Sequence, residues 1–221
     1  MADQDSRAGE RYASAQILDY VARVHGAHDP ALQPAFEAPA RHGMPAIQLA
    51  PSEGRLLELL LRLSAALKVV EVGTLAGYSA LWMARALPPG GRLWTIEADA
   101  RHAAVAEEVV GGAGFGDRVT IIKGDAAEVL PNLVDFGPFC AVFLDADKGR
   151  YDAYGRWATE NLRRGGLLIA DNAYLFGQLL DDSEEASAMR RFHEHMARHY
   201  RSVCIPTPDG LAVGVRDDPE A

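Results

Sequence analysis

Residues 69–79 read VVEVGTLAGYS, and this stretch constrains the fold more than any other. An apolar run ends in Glu71, glycines follow at Gly73 and Gly77, and a helix-like segment starts near Tyr78. That order describes a buried parallel strand, a tight turn and a helix N-terminus. Gly73 permits backbone angles that a Cβ forbids and lets the backbone approach a ligand closely. The two glycines are four apart with no third. The stretch is therefore neither the GxGxxG dinucleotide fingerprint nor, without a Lys-Ser/Thr pair, a phosphate-cradling P-loop.

Around it, strand-like and helix-like segments alternate. Apolar runs at RLWTIE (92–97), RVTIIK (118–123), FCAVFL (139–144) and GLLIA (166–170) predict strands. Between them the pattern predicts helices at about 78–87, 100–111 and 151–162, and a short one ending near 133. Such alternation implies an α/β fold with a doubly wound, mostly parallel sheet and helices on both faces. A further helix is expected over about 184–200. The tail SVCIPTPDGLAVGVR then holds two apolar runs joined through Pro208-Asp209-Gly210, a hairpin that should add an antiparallel strand to the sheet edge.

Ahead of the sheet, residues 1–10 are polar and expected to be disordered. Over 12–25, Ile17, Leu18, Val21 and Val24 fall at helical spacing and form one apolar stripe. Pro30, Pro34, Pro39, Pro45 and Pro51 rule out a long regular helix and predict a loop or short-helix cap able to act as a lid. Ser52 reads as the N-cap of the leucine-rich helix EGRLLELLLRLSAAL. The organisation is a single domain over 52–221, preceded by a 1–51 N-terminal extension and Pro-rich cap.

Charge narrows the function classes. With 22 basic and 31 acidic side chains the net charge is −9, which argues against nucleic acid as a partner. No apolar run approaches the roughly 20 residues of a membrane span, and the N-terminus lacks a signal-peptide core. Cys140 and Cys204, the only cysteines, lie in apolar runs. They read as two core thiols, consistent with a reducing, cytoplasmic location.

The chemistry concentrates at the strand ends, where open parallel sheets bind ligands. Glu71, Glu97, Asp145 and Asp171 end strands, and Asp125 follows one directly. One such carboxylate could be a turn former; the succession points to a polar ligand or a cation. Glu97, about 20 residues beyond the glycine turn, can accept both hydrogens of a ribose diol. Folds that bind NAD and folds that bind S-adenosylmethionine share this role. His195 and His199 are four apart, but with no other ligand motif they and His193 read as a solvated helix face. Trp82, Trp94 and Trp157 read as core.

EVGTLAGYS resembles motif I of class I S-adenosylmethionine-dependent methyltransferases. Together with LDADKGRYDAY (144–154) and ADNAYLFG (170–177), it resembles the cation-dependent O-methyltransferase family, which includes the catechol and caffeoyl-CoA types. The similarity runs from about Ala46 to Arg216. It implies a Rossmann-like seven-stranded methyltransferase domain that moves a methyl group from S-adenosylmethionine to one hydroxyl of a vicinal diol. The acceptor would be a small molecule, a catechol first and a glycosylated or polyketide-type natural product second. It implies cofactor contacts from Leu49, Glu71, Gly73, Thr74, Ser79, Glu97, Ala126 and Asp145, with Asp125-Ala126 at the adenine. It implies a divalent metal on Asp145, Asp171 and Asn172, and Lys148 as general base. Two carboxylates and an amide oxygen are hard ligands suited to Mg²⁺, Mn²⁺ or Ca²⁺. A homodimer is expected by resemblance only. One position departs from the family: where many relatives carry a tryptophan that flanks a planar substrate, this chain has Leu175, between Tyr174 and Phe176. A metal-independent S-adenosylmethionine enzyme and a nucleotide-binding module are the competing readings.

Overall fold

The computed structural model describes residues 14–26 and 28–217. The segment expected to be disordered, residues 1–10, lies outside them, as do residues 12–13 of the first predicted helix.

A single sheet organises the chain. Its strands are β1 (Lys68–Val72), β2 (Arg92–Glu97), β3 (Val119–Lys123), β4 (Phe139–Leu144), β5 (Leu162–Ala170), β6 (Tyr200–Ile205) and β7 (Leu211–Arg216). They lie in the order β3-β2-β1-β4-β5-β7-β6. The pairings among β1 to β5 are parallel; β7 runs antiparallel to both β5 and β6. The predicted hairpin therefore adds two strands, and its second inserts between the first and the rest of the sheet. β5 begins at Leu162, four residues before the apolar run that announced it.

Eight helices accompany the sheet among the described residues: α1 (Ala15–His25), α2 (Leu32–Arg41), α3 (Pro51–Leu63), α4 (Tyr78–Ala86), α5 (Ala100–Gly112), α6 (Ala126–Val129), α7 (Tyr151–Asn161) and α8 (Glu184–His199). Side chains alternate across the pleat, so each strand feeds two cores. Phe143 and Ile169 join a core with Leu57, Leu61 and Leu81 from α3 and α4. Val142 and Leu168 join one with Tyr151, Phe192 and Met196 from α7 and α8. Trp82 is buried in the first and Trp94 in the second, with Trp157 packed against it. Cys140 is buried and Cys204 half-buried, both free thiols.

The Pro-rich stretch is a short-helix cap. α2 is ten residues long with Pro39 inside it, and Leu32, Ala35 and Leu49 are buried in the first core. α3 starts one residue before the predicted cap: its N-cap is Ala50, not Ser52. Pro51 suits the first helical position because its fixed φ is preorganised for a helix. The Glu53 carboxylate reaches back to accept from the Ala50 N–H at 2.9 Å, leaving Ser52 no capping role.

α1 carries the predicted stripe but buries none of it. Ile17, Leu18, Val21 and Val24 are all at least 41% exposed. The histidines of α8 differ from the solvated face expected of them. His193 bonds the Ala173 carbonyl at 2.8 Å and His195 the Thr159 hydroxyl at 2.7 Å; only His199 is exposed. No helix of the described residues is long and apolar enough to cross a membrane.

Candidate active site

Strand order reverses between β1 and β4, and such a switch point opens a crevice at the strands' carboxyl ends. A cleft of about 390 Å³ lies there. Leu49, Gly73, Thr74, Ser79, Glu97, Asp125, Ala126 and Asp145 all line it, drawn together from the cap, β1, β2, β3 and β4.

The glycine turn shapes its floor. Gly73 has φ +98°, and a Cβ there would stand 2.0 Å from the Asp145 carbonyl oxygen. Only a hydrogen lets the β1 and β4 loops meet so closely. Leu75, two residues on, takes φ +51° without that freedom. Glu97 anchors the loop: Oε2 accepts from the Thr74 N–H at 3.2 Å and the Leu75 N–H at 2.8 Å, and Oε1 from the Asp99 N–H at 2.9 Å. Each carboxylate oxygen can accept twice, so Oε2 is filled and Oε1 retains one acceptor site for a ligand hydroxyl.

Glu71 is the exception among the predicted cofactor contacts. It does not line the cleft but lies fully buried behind Ser79, whose hydroxyl donates to its Oε1 at 2.5 Å. Its Oε2 is buried without a hydrogen-bond partner. Burial, opposed by the Ser79 bond and reinforced by the charges of Asp145 and Glu97, pushes its pKa up to about 8. Near neutral pH the group is a carboxylic acid, the form its dry setting favours.

At the β4 and β5 ends the charged groups crowd together. The Lys148 Nζ, almost fully buried, donates to Asp145 Oδ1 and to the Tyr151 hydroxyl oxygen, each at 2.8 Å. The Tyr151 hydroxyl faces the carbonyls of Leu144 at 3.1 Å and Asp171 at 3.2 Å. Tyr151 is fully buried, and burial followed by the charges of Asp145 and Asp171 raises its pKa well above 10. It stays a phenol, so its proton turns to a carbonyl and its lone pair orients the lysine. Tyr151 was not singled out from the sequence, although it lies three residues beyond Lys148 in LDADKGRYDAY.

Asp171 is 6% exposed, and its pKa is pushed up to about 7 by burial first and then by the nearby charges of Asp145 and Glu53. Asn172 beside it is half-buried with φ +54°. Asp171, Asn172 and Lys148 border the Asp145 end of the cleft rather than lining it. The described residues contain no group of three or more His, Cys, Asp or Glu side chains that could hold a metal ion. The candidate set is two carboxylates and an amide. An acid whose ionisation is opposed by the neighbouring charges of Asp145 and Glu53, with Lys148 close by, suits a hard divalent cation.

Leu175 cannot flank a substrate, because it is 1% exposed; Phe176 beside it is 66% exposed. At the opposite end, Arg150, Asp147 and Tyr154, none of them predicted as contacts, also line the cleft.

An O-methyltransferase family model matches residues 24–216. The chain is 40% identical over 208 residues to a protein of Niastella koreensis named catechol O-methyltransferase, covering 89% of this chain and 94% of that one. It superposes on the O-methyltransferase of Bacillus cereus in complex with SAH with TM-score 0.86 at 32% identity, covering 90% of this chain and 96% of that one. The O-methyltransferase TomG of Streptomyces achromogenes, involved in tomaymycin synthesis and solved with SAM, also gives TM-score 0.86. It is 31% identical, with 98% and 100% of the two chains covered.

Proposed function

The chain belongs to the O-methyltransferase family and is an S-adenosylmethionine-dependent O-methyltransferase; from that premise we propose that it methylates one hydroxyl of a vicinal diol with the help of a divalent cation. The observation that carries this reading is the pairing of Asp145 with Asp171 beside Lys148 at the end of the cleft. The name of the Niastella relative supports a catechol as the acceptor. The burial of Leu175 removes the flat aromatic wall and supports a tolerance for bulkier, non-planar diols.

Asp145, Asp171 and the Asn172 amide would hold the cation. When bound, it would lower the pKa of a chelated hydroxyl and stabilise the resulting oxyanion. The chain's own residues do the rest. Lys148, once it has given up its own proton to solvent, takes the hydroxyl proton and returns to the ammonium form, held in place by Tyr151. Ser79, Thr74 and Leu49 line the end nearest Gly73, and Glu97 accepts from a ribose hydroxyl through Oε1. Asp125-Ala126 borders the adenine. Alignment of methyl donor and acceptor along one line is the main source of rate.

The test is methyl transfer from S-adenosylmethionine to a panel of catechols and sugar diols, with Mg²⁺ and with EDTA. Transfer that requires Mg²⁺ is expected. Transfer that survives EDTA would leave Asp145, Asp171 and Asn172 with structural roles only.

We also propose that the enzyme works as a homodimer, with α1 covering its apolar stripe on a second copy. Ile17, Leu18, Val21 and Val24 share one face of α1, opposite Asp19 and Arg23, so a second copy can cover the stripe without burying either charge. Val21→Asp should halve the mass in light scattering; an unchanged mass would remove this interface.

A further inference from the structure

Arg150 sits at the adenine end of the cleft, where nothing above has given it a role. Its Nη1 donates to both carboxylate oxygens of Asp125 at 2.8 Å, and its Nε lies 3.2 Å from Asp147 Oδ2. Both acids are themselves tied down. Asp125 Oδ1 accepts from the Ala127 N–H at 2.8 Å and Asp147 Oδ1 from the Gly149 N–H at 3.0 Å. The clamp therefore spans two loops, those following β3 and β4. All guanidinium donors lie in the plane of the group. Carboxylates on its edges, joined by a hydrogen bond with Tyr154, fix the plane through in-plane donors and do not use its two faces. A guanidinium face packs well on a flat π-system.

We infer that Arg150 is an adenine-binding residue, its guanidinium held by Asp125 and Asp147 so that one face packs on the purine ring of the cofactor. The inference rests on the cofactor orientation given under Proposed function, with ribose at Glu97 and adenine at Asp125-Ala126. The arrangement also gives Asp125 a definite task. Its carboxylate is spent on Arg150 and on the α6 N-terminus, so it positions the arginine instead of addressing the adenine directly. Lysine cannot replace this function, because an ammonium has neither a plane nor the fork that spans two acids.

Competition against radiolabelled S-adenosylmethionine tests the assignment with two unlabelled ligands, S-adenosylhomocysteine and S-ribosylhomocysteine, the second lacking only the adenine. Arg150→Ala and Arg150→Lys should each weaken S-adenosylhomocysteine about tenfold. Both should leave S-ribosylhomocysteine within about twofold. An equal loss for both ligands, or no loss for either, would overturn the assignment. If wild-type protein bound the two ligands equally, the cofactor orientation itself would fail, an outcome the variants are not needed to see.

Discussion

Two acid–base pairs share one turn, each spaced three residues apart: Asp145 with Lys148, and Asp147 with Arg150. Their settings differ sharply. Lys148 and Asp145 side chains are 10% and 25% exposed, whereas those of Arg150 and Asp147 are 46% and 56% exposed. The inner pair faces a second carboxylate, a phenol and little water. Desolvation makes such a pair a poor source of stability, so its retention argues for chemistry. The outer pair is screened by solvent and contributes little to stability. What it supplies is orientation of a planar cation at the rim. One turn of chain thus carries a reacting centre on one side and a recognition element on the other.

The strongest way to break this contrast is through the inner pair. Lys148→Ala should lower kcat by about 10²–10⁴-fold, with S-adenosylhomocysteine affinity within about twofold in calorimetry. A fall in affinity alone would remove Lys148 from the proton transfer. Asp145→Ala should abolish Mg²⁺-dependent turnover altogether, and unchanged turnover would end the metal reading.

Next in size comes Glu97→Ala, which removes a charged acceptor of backbone amides. Cofactor affinity should fall about 10–100-fold; an unaltered titration would cancel the ribose role.

Glu71 sharpens the contrast as a buried acid with no cation beside it. Its folded-state pKa of about 8 stands above the ordinary 4.5. Between those values the folded chain holds a proton that the unfolded chain has lost. Stability should therefore fall as pH rises through that window, by up to about 1.4 kcal/mol per pH unit. Urea melts of the cofactor-free protein at pH 5.5 and 7.5 should show the loss, and Glu71→Gln should flatten it. A wild-type profile as flat as that of Glu71→Gln would mean that Glu71 is ionised in the fold.

Smallest are the rim changes. Asp147→Asn keeps a hydrogen-bond acceptor for Arg150 and should alter S-adenosylhomocysteine affinity less than about threefold. Arg101→Ala deletes a solvent-exposed partner of Asp99 and should leave the melting temperature where it was. A large effect of either would mean that exposed pairs matter here as much as the buried one.

Much of the site was legible because parallel strands deliver their last residues to a common edge. Glu97, Asp125 and Asp145 could be placed in one cleft from their strand-end positions alone, and Gly73 from the turn it opens. Glu71 is the strand-end acid that the same logic does not bring to the cleft lining. It precedes the end of β1 by one residue, and in a pleated strand one residue is the difference between facing the cleft edge and facing α4. Ser52 lost the cap because proline and a back-reaching glutamate compete better for the first turn. The exposed stripe of α1 was visible as a pattern, but a pattern does not say what covers it.

By itself, the sequence determined the alternation of strand and helix, the glycine turn and the row of carboxylates, since these follow from local periodicity and backbone sterics. Family membership followed from the same short motifs. Only the tertiary structure decided that Lys148 is held between Asp145 and Tyr151, that Arg150 bridges loops after different strands, and that Leu175 is buried while Phe176 is not. Those outcomes depend on distances between segments far apart in the chain and on how completely packing removes water from each group. No local pattern encodes either.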